Sequence, residues 1–556
     1  MKTSTNLPFI VFIFISLLLM SSCRQPNGLS GTWKGKFMNQ FDIQIVFQEE
    51  GGKTTTGVLL MFDGGQKIQH DALTRIRQKG DHLSFYIAAK ETPFEGTITG
   101  DVIKGNFTFP DGSVHPLTVS RMTNDGKNAE RTGEPGKYTR AELKADLIFT
   151  KEKLEALHPS LYRYQTREDF DKGFEHATGS LDEEMDILEF YRVLAPCVHK
   201  IGCSHTGVRL PENIRSLIHK ERVFFPFRIA YCEEKAVIAQ PIAEYPELPP
   251  GDEILSINGK GIDIIGREIF ELIPSEGNRL STKYFWINRS FPQYYMFLDG
   301  GENYEVSLEN GMGKTESILV QPVHWEQAVK NYPFMEEKPP APMPVTYRLM
   351  EEPRAGILTI SSFGIADMSQ YMNLLDSVFG SLKDSGIHHL VIDLRGNSGG
   401  HPIFAAQLLS YLADEPFVYF DSTNRIDEFA PLYLPMPPND LHFNGEVYVL
   451  SDGGCLSTAG HLLSLLKYHG LATIVGEEPG SSYRCNDMSR QFTLPNSGIE
   501  LNVPTAIFQT AVHDFSDSTH IIDIPVDCQK TAFSNDAAME RTRELMDLSM
   551  VQHRTE

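Results

Sequence analysis

His389-Leu390-Val391-Ile392-Asp393-Leu394-Arg395-Gly396-Asn397-Ser398-Gly399-Gly400 begins as an apolar strand and runs straight into a glycine-dense loop. Backbone that approaches a reacting carbonyl closely needs residues without a Cβ. The paired glycines therefore place unencumbered N–H groups at the mouth of a sheet, where they can hold an oxyanion. About fifty residues later a second strand-to-loop unit follows, Val449-Leu450-Ser451-Asp452-Gly453-Gly454-Cys455-Leu456-Ser457-Thr458-Ala459-Gly460. It delivers Ser457 to the start of an apolar helical run, Leu462 to Leu466, where a hydroxyl meets the positive end of a helix. Serine is also a preferred first residue of helices, so Ser457 reads equally as an N-cap.

These two segments, followed by Leu471-Ala472-Thr473-Ile474-Val475-Gly476-Glu477, resemble the C-terminal-processing (tail-specific) serine peptidases of family S41. The resemblance covers roughly residues 138–528. It implies an α/β (α+β) catalytic core of the tail-specific-protease, ClpP/crotonase-like type, with Ser457 as nucleophile. In the processing-protease branch the general base is a lysine about twenty-five residues after the serine. Here that neighbourhood is Ser481-Ser482-Tyr483-Arg484, and arginine stays protonated. The branch of the tricorn core and the retinoid-binding-protein-like hydrolases uses an upstream histidine instead. Lys200-Ile201-Gly202-Cys203-Ser204-His205-Thr206-Gly207-Val208 is similar to that segment, which makes His205 the expected base and Ser204 its orienting partner.

The chemistry is ordinary acyl transfer. A serine hydroxyl is a weak nucleophile until an imidazole takes its proton and later returns it to the leaving amine. The imidazole works best with its other nitrogen held, the role of Ser204 and an acidic group. The tricorn-like pattern implies a glutamate downstream of the nucleophile. The matching stretch His513-Asp514-Phe515-Ser516-Asp517-Ser518-Thr519-His520 has none, so Asp514 or Asp517 is expected to replace it. Backbone N–H groups of Gly399 or Gly400 and of Thr458 are the expected oxyanion donors, each worth about 3 kcal/mol of barrier. His461, four residues after Ser457 on the same helix face, and His520 are rival bases. Cys203-Ser204-His205 departs from the family's Asp-Gly-His-Thr, and Leu456-Ser457-Thr458 from Ala-Ser-Ala. These departures leave a second reading, a catalytically inactive family member that binds peptide or another envelope ligand.

The chain of 556 residues exceeds one core and implies three or four domains. Its net charge of −23 argues against nucleic acid or an anionic membrane surface as partner. No Cys/His spacing of metal type appears, and no cofactor is implied. Met1-Lys2, the apolar run Leu7 to Met20 and Ser21-Ser22-Cys23 read as a secretion signal and resemble a bacterial lipoprotein signal. Lipidation at Cys23 would anchor the body outside the cytoplasm, at the cell envelope, with the outer membrane as the expected site. An exported chain permits disulfides, and Cys455–Cys485 is the expected pair because each lies beside the proposed site.

The expected organisation is multidomain. A signal peptide (1–22) precedes an all-β, lipocalin-like domain (23–122) and a polar linker (123–137). A helical segment carrying the base (138–222) leads to a PDZ-like domain (223–325). Leu248-Pro249-Pro250-Gly251-Asp252-Glu253-Ile254-Leu255-Ser256-Ile257-Asn258-Gly259-Lys260 resembles the PDZ signature, with a strand ending in an Asn-Gly turn. PDZ domains capture extended peptides by strand addition. A proline-rich linker (326–345), the catalytic core (346–530) and a C-terminal helical tail (531–556) complete the chain. The expected function is an exported serine endopeptidase that takes peptide or protein substrates and needs no cofactor.

Overall fold

The structure is a computed structural model. It describes residues 29–555 apart from 38–40, 51–52, 64–65, 89–91, 101, 110–112, 122–135, 241–244, 247, 302, 333–334, 336–342 and 529–535. The signal segment and Cys23 lie outside the described residues, as does most of the 123–137 linker. The chain forms two compact units, Met1–Ala129 and Glu130–Glu556.

The first unit is a closed antiparallel barrel of β1 (Gly31–Phe37), β2 (Phe41–Glu50), β3 (Lys53–Asp63), β4 (Gln66–Lys79), β5 (His82–Ile87), β6 (Thr92–Thr99), β7 (Val102–Thr108) and β8 (Val114–Arg121). Pairing of Trp33 with Arg121 helps to close the ring between β1 and β8, which leaves no free edge. Strand alternation sends Leu83, Phe85 and Ile87 inward, and large side chains fill the interior. Phe85 stacks on Phe94 with centroids 4.6 Å apart. Gly96 faces Gly105 across β6 and β7, and a Cβ at either would come within 3 Å of the Phe94 ring.

In the second unit, β9 (Tyr138–Thr139) leads into α1 (Arg140–Leu157), α2 (Arg167–Gly179), β10 (Glu184–Met185) and α3 (Ile187–His199). Each of the three helices starts on a capping box: Thr139 with Glu142, Thr166 with Asp169, and Asp186 with Glu189. β11 (Gly207–Arg209) and α4 (Glu212–Glu221) follow. An antiparallel sheet of β12 (Ile229–Cys232), β13 (Lys235–Ile238), β14 (Glu253–Ile257), β16 (Tyr304–Glu309) and β17 (Thr315–Val320) comes next, with the short β15 (Lys260–Gly261) paired to β14. Asn258 and Gly259 both have positive φ, the backbone that the tight turn between β14 and β15 requires. Two helices accompany this sheet, α5 (Ile262–Glu271) and α6 (Leu280–Leu298). α6 breaks at Ser290, two residues before Pro292, which cannot continue the hydrogen-bond ladder. Reciprocal backbone bonds between Phe224 and Val323 join the segments that flank this sheet. The 326–345 linker is not wholly irregular, because α7 (Trp325–Asn331) occupies its start.

The core is a six-stranded sheet ordered β18 (Val345–Met350), β19 (Ala355–Ile360), β20 (His389–Asp393), β21 (Glu446–Ser451), β22 (Thr473–Gly476) and β27 (Ile524–Pro525). Only β18 runs antiparallel to its neighbour. The crossovers carry α8 (Met368–Asp384), α9 (Pro402–Ser410) and α10 (Thr458–His469), which bury one face of the sheet. α11 (Ala537–Thr555) covers the other, setting Ala538, Met539 and Met546 on Ile357, Val391 and Leu450. Three small sheets complete the unit: β9 pairs with β10, β23 (Arg484–Asp487) pairs with β26 (Ala506–Gln509), and β11 joins β25 (Glu500–Val503) and β24 (Arg490–Thr493).

The disulfide in the described residues is Cys232–Cys528, which ties the end of β12 to the segment after β27. This corrects the expected Cys455–Cys485 pair. Both thiols are free and face elsewhere, Cys455 Sγ toward the Leu394 carbonyl at 3.0 Å and Cys485 Sγ toward His461 Nε2 at 3.3 Å. Among the described residues, no helix is long and apolar enough to cross a membrane.

Candidate active site

Ser457 sits on the turn between β21 and α10 with φ 51° and ψ −122°, a backbone that L-residues adopt only when their surroundings impose it. It occupies the N-cap position, yet its side chain makes no capping hydrogen bond, so the hydroxyl is not committed to the helix. The turn is held from below. Asp452 Oδ1 accepts the N–H groups of Gly396 at 2.8 Å and Gly454 at 2.9 Å, and Leu456 N donates to the Asn397 carbonyl at 3.0 Å. One carboxylate thus joins the glycine loop to the nucleophile turn. Burial pushes the Asp452 carboxyl up, opposed by Arg289, the two N–H groups and Arg395. A cavity of about 310 Å³ adjoins this joint, lined by Arg228, Arg289, Asp393, Asp452 and Arg395 together with apolar side chains such as Phe285.

The glycine loop lies against Ser457: a Cβ on Gly399 would fall 2.7 Å from Ser457 Cβ, and one on Gly400 2.2 Å from the Phe363 backbone. Both have positive φ. The Gly399 N–H donates to Asn397 Oδ1 at 2.8 Å, so it has a partner other than an oxyanion. Of the three expected donors, this leaves the N–H groups of Gly400 and Thr458. The Thr458 hydroxyl donates to the Gly400 carbonyl and fixes these two residues together.

His205 follows α3 through the left-handed turn at Gly202, and Asn502 Nδ2 grips its carbonyl at 2.6 Å from β25. Its Nδ1 lies 3.2 Å from Ser204 Oγ. Its Nε2 is 3.7 Å from Asp487 Oδ2. Among the described hydrogen bonds none links His205 to Ser457, whose Oγ has Cys485 Sγ at 4.0 Å.

Ser204 reaches a carboxylate outside the expected stretch. Ser204 Oγ donates to Glu276 Oε2 at 3.2 Å, and Ser204 N donates to the same oxygen at 3.3 Å. Asp514 is exposed, and among the described hydrogen bonds none joins it to Ser204 or His205. Asp517 accepts from Arg163 Nε at 3.2 Å, and Arg163 Nη1 in turn reaches Glu276 Oε1 at 3.4 Å. Glu276 is 2% exposed. Burial raises its pKa, while Arg163, Ser204 and His205 favour its charged form. It belongs to the α5–α6 loop, far from either motif, and nothing in the spacing of Pro274-Ser275-Glu276-Gly277 marks it.

The rival histidines separate clearly. His461 is buried behind the nucleophile against Cys485, and burial, aided by His205, pushes its pKa down to about 3, which keeps it neutral. His520 is 87% exposed and bonds Glu478. Among the described residues, one trio has ligand-like proximity, Cys232, Asp527 and Cys528, but its two sulfurs form the disulfide.

Residues 354–523 match the sequence model of peptidase family S41. Mature CPAF complexed with lactacystin aligns at 13% identity over 73% of this chain and 98% of its own, with a TM-score of 0.50. Mature CPAF alone aligns at 12% identity over 73% and 96%, with a TM-score of 0.51. The photosystem II D1 C-terminal processing protease aligns at 15% identity over 71% and 96%, with a TM-score of 0.36. At these identities the CPAF likeness shows the fold alone. No curated protein sequence matches the chain. The matched residues hold the strand β19, the glycine loop, Ser457 and its helix, so the likeness to peptidase family S41 falls on the part of the chain that carries the candidate nucleophile.

Proposed function

We infer that the chain is an exported serine endopeptidase that cleaves polypeptides through an acyl-enzyme at Ser457, with His205 as general base. The observation that carries this reading is Ser457 itself. It is a strained, uncapped serine at a helix start, packed on a glycine loop, with the N–H groups of Gly400 and Thr458 beside it. His205, with Nδ1 on Ser204, has Nε2 for the proton of Ser457 Oγ. That transfer requires Nε2 to turn from Asp487 toward Ser457, a movement that substrate binding would drive, since apo sites often tighten only around their substrate. Proton transfer back to the leaving amine, then attack by water, completes the cycle.

The small six-stranded sheet is the PDZ-like module of this reading and would hold an extended peptide along an edge strand. Lipidation at Cys23 would tether the enzyme to the bacterial envelope. The disulfide Cys232–Cys528 supports an oxidising compartment. The second reading, an inactive peptide-binding lipoprotein, is favoured by the partners the two side chains have, Asp487 for His205 Nε2 and Cys485 for Ser457 Oγ, with no bond between them among the described hydrogen bonds. Digestion of unfolded casein, followed by mass spectrometry, decides between them. Discrete internal cleavages by wild type and none by Ser457→Ala are expected; casein left intact by both favours the binding protein.

A further inference from the structure

We propose that Glu276, from the α5–α6 loop, is the acidic positioning residue of the site, setting through Ser204 the tautomer and orientation of His205. The proposal deepens the Ser457–His205 reading above and rests on it.

An ionised carboxylate only accepts hydrogen bonds, and Glu276 Oε2 faces both the N–H and the hydroxyl of Ser204. Ser204 has a single hydroxyl proton, and the carboxylate takes it. The Ser204 oxygen then presents lone pairs to His205 Nδ1 at 3.2 Å, so Nδ1 must carry the imidazole proton. Nε2 is left as the unprotonated nitrogen, the state a general base needs. When Nε2 takes the Ser457 proton, the imidazolium formed faces a chain that ends in a negative charge. The same logic needs Glu276 to stay ionised, and the groups that face it are disposed to do so. Arg163 Nη1 and Tyr164 Oη lie 3.4 Å from Oε1, and Arg163 is itself held by Asp517. The remaining titratable groups around Glu276 are Cys203, His205 and Cys485, and burial holds both thiols above their ordinary value, hence uncharged.

The chain has an organisational consequence. Arg163 comes from the α1–α2 connection, Glu276 from the module built on the small sheet, and Asp517 from the loop before β27. Gly277 N also donates to the Gly202 carbonyl at 2.9 Å, which pins the Glu276 loop to the turn before His205. The base is therefore competent only where the small-sheet module is seated against the helical segment.

The test is the pH dependence of fluorophosphonate labelling of the full chain, for wild type, E276Q, S204A, the double variant and D514N, with thermal melts alongside. At neutral pH E276Q should slow labelling by about 10², the usual worth of an aligned acid–base partner. Its acid limb should move to lower pH, because the imidazolium has lost a stabilising charge. The double variant should be no slower than S204A alone, since the two residues act in series. Wild-type rate and profile in E276Q overturn the proposal. So does a slowed E276Q whose acid limb stays in place and whose effect adds to that of S204A, the mark of a loop-folding role. Loss of labelling in D514N with E276Q intact returns the acid to Asp514. If wild type is not labelled, or S457A is labelled equally, the Ser457 reading falls and takes this proposal with it.

Discussion

The two halves of the candidate site are built differently. The nucleophile half is local: β20, the glycine loop, β21 and the Ser457 turn are neighbouring strand ends of one parallel sheet, joined by Asp452 and Asn397. The base half is assembled from distant segments, with His205 after α3, Glu276 after α5, Arg163 between α1 and α2, and Asn502 on β25. A site half made of adjacent strand ends inherits its geometry from the sheet. One made of loops depends on several polar contacts at once, each worth only about 1 kcal/mol.

The contrast predicts that single changes break the nucleophile half abruptly and loosen the base half by degrees. The largest effect belongs to Gly400→Ala. With φ 137° and the Phe363 backbone 2.2 Å from the new Cβ, the loop must shift, which displaces an oxyanion donor. Peptidase activity should fall by about 10²–10³ with a stability loss of about 3 kcal/mol, read by casein cleavage and chemical denaturation.

Acid should then act on both halves together. Burial holds His158 and His199 at about 4 and His461 at about 3, below the ordinary 6.5. Between these values and 6.5 the unfolded chain binds protons that the native state refuses, so stability falls as pH falls through that window. The slope is about 1.4 kcal/mol per pH unit for each group. Denaturation at stepped pH should show this loss, and His461→Gln should flatten its share; a flat curve from pH 6.5 to 4 would contradict it.

Asn502→Ala removes the 2.6 Å bond to the His205 carbonyl and should cost about 1 kcal/mol with a several-fold drop in activity. An effect as large as that of Gly400→Ala would show that the base half is as brittle as the nucleophile half. Smallest of all is Asp514→Asn. The residue is exposed and shares no described hydrogen bond with Ser204 or His205, so stability should stay within about 0.5 kcal/mol and activity should be unchanged.

What could be read beforehand follows the same division. The strand from His389, the glycines, Ser457 and the following helix form contiguous patterns whose chemistry is local, and they stand where the sequence placed them. Ser204 and His205 were legible because they are adjacent. Glu276 was not, since its role arises from a loop brought over by the docking of another module, and no residue spacing encodes that approach. Position along the chain points to Asp514, whereas the carboxylate that Ser204 bonds is the buried Glu276 beside Arg163. The disulfide was misread for a related reason. Cys455 and Cys485 flank the site, but their thiols face Leu394 and His461, while Cys232 and Cys528, 296 residues apart, meet across modules. The barrel was visible as alternating strands between turn signals, and its closure through Trp33 and Arg121 required the fold.

The central claim is that Ser457 is a nucleophile activated by His205. Intact-mass and peptide mapping of the full chain after fluorophosphonate treatment, with S457A and H205A in parallel, tests it most directly. A single adduct on Ser457 of the wild type, absent in S457A and slowed by orders of magnitude in H205A, is the predicted result. An adduct on another serine, or labelling of H205A at the wild-type rate, would contradict it.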